Sequence, residues 1–124
     1  DIWGDEAEIS IEIREKVLFK HLNGPMFFGI VTEFRNLVAE LHEIDYLIIR
    51  MDRVPFIDQS GVYALDEAIQ DLQDRDVKVV ITCPNKQVLN SLEGFTMVPN
   101  TISHDLIFAD FKDCKNWLRD EIKK

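Results

Sequence analysis

The segment Tyr46-Leu47-Ile48-Ile49-Arg50-Met51 is nearly continuous apolar sequence. A strand of that kind is buried on both faces, as in the middle of a parallel or mixed sheet. Val77-Lys78-Val79-Val80-Ile81-Thr82-Cys83 has the same character. Between the two, Val62, Leu65, Ala68, Ile69 and Leu72 set out one face of an amphipathic helix. Strand, helix, strand restricts the chain to an α/β architecture, with helices covering a sheet whose inner strands carry no solvent face.

The rest of the chain extends this pattern. Ile9, Ile11 and Ile13 alternate with polar residues, a period of two that predicts a half-buried strand. Val17–Leu22 predicts a second strand, and the short link Arg14-Glu15-Lys16 makes a hairpin of the pair the simplest expectation. Asn23-Gly24-Pro25 is a turn signal. Val31, Phe34, Leu37, Val38 and Leu41 predict a helix. Lys86–Glu93 predicts a short helix, with Gly94 as its stop. Thr96–Thr101 is weakly patterned and is assigned a short final strand. Ser103 and Asp105 are candidate caps for a last helix that takes in Leu106, Ile107, Phe108, Phe111, Cys114, Leu118 and Ile122. The expected order is β-β-α-β-α-β-α-(β)-α, a mixed and mostly parallel sheet with four to five helices packed mainly on one face.

Length and charge narrow the function. At 124 residues the chain is one domain with room for one core. It carries 14 basic against 23 acidic residues, a net charge of −9, and its Lys and Arg are scattered. Nucleic acid, which needs a basic stripe, is excluded as a partner, and anionic membrane surfaces are disfavoured. The acidic excess sits in two places. Residues 1–15 hold six acids and one base, and the helix after Ser60 holds five acids and one base. Cys83 and Cys114 are far apart in a pattern that holds no metal or redox motif, and they read as buried thiols. No apolar run approaches 18 residues. The chain starts at Asp1 rather than Met and reads as part of something longer.

Catalytic templates are missing. No Gly-rich phosphate loop, nucleophile elbow or metal-ligand pair occurs, and His21, His42 and His104 are isolated. The expectation is a protein that is not an enzyme and takes no cofactor or metal.

Two loops remain. Phe56-Ile57-Asp58-Gln59-Ser60-Gly61 joins a buried strand to a helix. Asp58 or Ser60 suits the helix N-cap, and a hydroxyl at a helix N-terminus is a favourable place for a phosphate. Asn23-Gly24-Pro25-Met26-Phe27-Phe28-Gly29 sets two aromatics after a Gly-Pro turn, either as cover for the core or as an apolar contact for a partner.

At these loops the sequence resembles the STAS domain of sulfate transporters and anti-sigma-factor antagonists, over nearly the whole chain from Glu8 to the last helix. Asp58-Gln59-Ser60-Gly61 matches the family pattern Asp-x-Ser/Thr-Gly. Gly24-Pro25-Met26-Phe27-Phe28-Gly29 is similar to the Gly-Pro-Leu-Phe-Phe-Gly signature of SulP anion transporters, and Val54-Pro55-Phe56-Ile57-Asp58 to their Val-Pro-x-Ile-Asp. The resemblance implies a STAS fold over residues 8–124, with residues 1–7 a linker from a transmembrane region outside this sequence. It also implies a cytoplasmic domain that serves in assembly, regulation and partner binding of a transporter of sulfate or a related anion. Its implied partners are the transporter's own transmembrane domain and a cytosolic regulatory protein. A homodimer through the parent transporter and weak nucleotide binding are further expectations. Asp58, Gln59, Ser60 and Gly61 form the implied regulatory loop. Gly24, Pro25, Phe27, Phe28 and Gly29 form the implied docking edge. The alternative is a free-standing antagonist-like module switched by phosphorylation at Ser60.

Overall fold

The computed structural model describes residues 3–6, 9, 11–24, 32, 36 and 43–123. Among the described residues four strands form one parallel sheet in the order β1 (Val17–Asn23), β2 (Tyr46–Arg53), β3 (Lys78–Thr82) and β4 (Ile107–Phe108). The helices with described bounds are α1 (Ile11–Lys16), α2 (Gln59–Asp74), α3 (Lys86–Gly94), α4 (Met97–Asn100) and α5 (Phe111–Ile122). Short 3-10 turns occupy Gly4–Glu6 and His104–Leu106. None of these helices is long and apolar enough to cross a membrane.

The apolar run of β2 has the cause its sequence implies. Strand side chains alternate, and both faces of this strand are covered. Leu47, Ile49 and Met51 join Val79 and Ile81 of β3 against the inner faces of α2 and α3, including Leu65, Ile69, Leu72, Val88 and Leu92. Ile48 and Val80 point the other way, into a smaller cluster with Ile9, Val17, Phe111, Cys114 and Leu118. The two thiols are free; Cys114 is fully buried and Cys83 partly so.

Three expectations are corrected. Residues 11–16 are helix α1, so among the described residues no hairpin precedes β1, which pairs in parallel with β2, Val17 opposite Tyr46. Ile13 of α1 and Ile9, in a bend ahead of the helix, both pack in the second cluster, as alternation would also have required. The link Arg14-Glu15-Lys16 also lacks the Gly, Asn or Asp that a tight hairpin favours. The final strand is Ile107–Phe108, paired with Ile81 and Thr82, and Thr96–Thr101 is not a strand. Pro99 there lacks the N–H that a ladder requires. The last helix starts at Phe111 behind its N-cap Asp110, while Ser103 caps the 3-10 turn. Of the predicted helix at 31–41, Thr32 and Asn36 are described, and both are helical.

Candidate functional site

In a parallel sheet the loops after the strands gather at one end, and that end is where sites form. Here it holds the loop after β2, the N-terminus of α3 and the turn after β1. Asp58 is the N-cap of α2, with extended backbone (φ −91°, ψ 174°). Its Oδ1 accepts from the Gly61 backbone N–H at 2.7 Å and from the Ser60 hydroxyl at 2.9 Å. One carboxylate oxygen thus closes the helix start and aims the serine. Ser60 and Gln59 are exposed, whereas Gly61 is buried. Gln59 Nε2 donates to the Tyr63 hydroxyl at 3.0 Å.

Tyr63 extends this surface. It is a large apolar residue left 54 % exposed, and its ring meets that of Phe95 edge-on at 5.9 Å. Phe95 borders an open concavity along α3, lined also by Lys86, Gln87, Asn90, Ser91 and Gly94. Asn85 ties the two helix starts together. Its Oδ1 caps α3 by accepting from Val88 N–H at 2.8 Å. Its amide nitrogen donates to the carbonyls of Val54 and Pro55, in the loop that leads to Asp58.

Of the predicted docking edge, Gly24 is described. Its φ of +79° is the left-handed conformation that favours glycine, and its N–H donates to the Arg53 carbonyl at 3.0 Å. Pro25, Phe27, Phe28 and Gly29 lie outside the described residues, as does His42.

Among the described residues a dense set of polar contacts belongs to one that the sequence pattern hides. Arg50, inside the apolar run of β2, is 1 % exposed. Its guanidinium takes both carboxylate oxygens of Asp5, at 2.5 and 2.8 Å, and both of Asp52, at 3.2 and 2.8 Å. It also reaches Glu6 at 3.0 Å and lies 3.8 Å from the centre of the Phe111 ring. Burial works against the Arg50 charge, but the bonds from Asp5, Asp52 and Glu6 outweigh it and raise its pKa. The Arg50 hydrogen bond in turn holds the Asp5 carboxyl below its usual range. Burial raises the Cys83 thiol, and the Asp52 carboxylate adds to that. The signal was a lone arginine in an apolar strand together with an acidic pair after Trp3.

Comparison with known proteins places the fold. The family model of the STAS domain matches residues 8–114. The curated Sulfate transporter 1.3 of Arabidopsis thaliana is 36% identical over 88 residues, which cover 68% of this chain and 13% of that protein. The chain therefore spans a small fraction of that relative's length. The solved SulP transporter STAS domain from Vibrio cholerae is 27% identical, with a TM-score of 0.78 over 87% of this chain and 84% of that one. A sulfate transporter family protein from Wolinella succinogenes shares the fold, with a TM-score of 0.86 at 20% identity over 98% of this chain and 97% of that one. A strand-and-helix order built on β2, a capped Asp-x-Ser-Gly turn at the C-terminal end of the sheet, and a family match over most of the chain lead to one conclusion: the chain belongs to the STAS domain family.

Proposed function

We propose that this domain is the cytoplasmic regulatory and interaction domain of a SulP-type transporter of sulfate or a related anion. The observation that carries the reading is the alignment with a transporter STAS domain over 87% of this chain and 84% of that one. The identity to a named sulfate transporter supports it. On this reading the domain neither moves the anion nor performs catalysis. Its partners are the transporter's transmembrane domain and a cytosolic regulatory protein.

The mechanism is differential contact. A partner that binds the Asp58–Gly61 loop more tightly in one transporter state shifts the balance towards that state. Gln59 supplies a polar rim beside that loop, and the exposed Tyr63 ring, backed by the partly buried Phe95, supplies an apolar face. Gly24, Pro25, Phe27, Phe28 and Gly29 are proposed as the docking edge.

Two measurements test the reading. The parent reading frame is expected to encode, ahead of Asp1, on the order of ten apolar spans of roughly 20 residues each. A start codon immediately before Asp1 would overturn it. In cells that express the parent, substitution of Gln59 and Tyr63 by Ala is expected to change sulfate uptake at unchanged protein abundance. The antagonist alternative gains less support, since the identity is to sulfate transporters. It requires phosphate on Ser60, which intact mass after incubation with a cognate kinase would reveal.

A further inference from the structure

Residues 3–6 lie at the C-terminal end of β1 and β2 and are held there by charge and ring contacts. Trp3 stacks on the His21 imidazole at 4.3 Å between centroids. The guanidinium groups of Arg53 and Arg50 lie 4.3 and 4.5 Å from the Trp3 ring centre. Asp5 forms a two-bond fork with Arg50, and its carbonyl accepts from Lys115 Nζ of α5 at 3.2 Å. Glu6 is 2 % exposed, with Oε2 at 2.6 Å from His21 Nε2 and 3.0 Å from Arg50 Nη1. Its carbonyl accepts from Arg14 of α1 at 3.1 Å. Trp3 and Glu6 are also closed on each other by a backbone bond of 2.9 Å, so the segment is a preformed turn.

This arrangement has the composition of a peptide complex. The receptor offers arginines, a histidine, a lysine and the Phe111 ring in a chain of net charge −9. The segment offers one aromatic and two adjacent carboxylates. A guanidinium fork on a carboxylate and a cation over an indole are both directional contacts. Asp52 matters here. It sits on the same strand and bonds Arg50 through both oxygens, so Arg50 keeps a carboxylate when the segment leaves. Departure would uncover a charge that is still paired and newly hydrated, and so avoids an orphaned buried cation.

We infer that the C-terminal end of β1 and β2 is a recognition site for an aromatic–acidic peptide of the form Trp-x-Asp-Glu. Trp3-Gly4-Asp5-Glu6 is its built-in occupant, which docks and undocks as a unit while the sheet stays folded. The inference stands apart from the transporter reading, because it concerns contacts within this chain.

Amide hydrogen exchange of the unmodified chain tests it. Raising NaCl from about 0.1 M to about 1 M shortens the screening length from roughly 10 to 3 Å. Exchange at the Glu6 and Ile9 amides, which donate to the Trp3 and Glu6 carbonyls, is expected to rise roughly tenfold. The amides of Val79–Ile81 should stay unchanged. Salt-independent exchange at Glu6 and Ile9, or exchange in step with β3, would overturn undocking as a unit. Recognition is tested by adding a synthetic peptide of residues 1–7 to the Asp5→Asn/Glu6→Gln chain. Saturable shifts of the His21 and Arg50 resonances are expected there, with at least tenfold weaker effects on the unmodified chain, where the site is filled. A folded double variant that ignores the peptide would overturn recognition. If that variant fails to fold, the salt response of the unmodified chain decides.

Discussion

Arg50 concentrates the polar energetics of the domain in one guanidinium. Arg50 and Glu6 are both buried as side chains, whereas the Asp5 side chain is 45% exposed. Removing one partner of a buried ion pair leaves the other desolvated without compensation. Arg50→Met is therefore expected to destabilise the fold in urea unfolding by up to about 3–5 kcal/mol, a cost capped by the undocking of residues 3–6, which returns Glu6 to water. Adding Glu6→Gln to that variant should cost less than Glu6→Gln alone, because the carboxylate stranded by the first change is then gone. Asp5 adds a pH dependence of known sign. Its carboxyl titrates below the ordinary 3.8 in the folded chain, so its contribution is present above that value and lost as pH falls through the lower folded one. The stability difference between the unmodified chain and Asp5→Asn should close in acid, as followed by urea midpoints at successive pH values. Cys114 acts at the opposite end of the scale. Burial pushes its thiol up to about 12 from an ordinary 9.0. The unfolded chain loses that proton first, so stability falls between those values at about 1.4 kcal/mol per pH unit. Cys114→Ala should show a shallower alkaline decline in the same measurement.

At the scale of elements, the caps decide where the site's helices begin. Asp58→Ala removes the oxygen that closes α2 and is expected to cost about 1 kcal/mol in thermal or urea unfolding. Asn85→Ala should cost about 1–2 kcal/mol, because the same side chain caps α3 and also holds the Val54 and Pro55 carbonyls. These elements are also where the sequence was most legible. The burial of β2 and β3 on both faces follows from their apolar runs, and α2 from the spacing of Val62, Leu65, Ala68, Ile69 and Leu72. Asp58 was one of two residues named for the cap, and the geometry selects it over Ser60. Short segments were harder to read. Ile9 and Ile13 satisfy strand and helix periods alike over so few residues, and Ile107–Phe108 continues the apolar spacing of α5 although it is a strand. Trp3, Asp5 and Glu6 were read only as part of an acidic linker, because their contacts depend on Arg50, which is 44 to 47 residues away in sequence. No local pattern carries such a pairing.

Across the whole molecule, the sheet makes one cooperative unit out of two unequal cores. Each inner strand supplies alternate residues to both, Leu47 and Ile49 to the larger and Ile48 to the smaller. A strand cannot lose one face and keep its ladder to both neighbours, so the two cores should melt together. Leu65 on α2 and Leu118 on α5 lie on opposite sides of the sheet at 0% and 1% exposure. Leu65→Ala is expected to cost about 2–5 kcal/mol. The shift should be the same whether unfolding is read by far-ultraviolet dichroism or, in a Trp3→Phe background, by the fluorescence of Trp117, which packs in the other core against Tyr46 and Phe108. Leu118→Ala should behave alike from its own side. If Leu65→Ala moved the dichroism transition and left that of Trp117 in place, the cores would be separable and β2 would not couple them. Coincident transitions would mean that β2 ties the core under α2 to the core under α5, where Arg50 meets Phe111, in one cooperative unfolding unit.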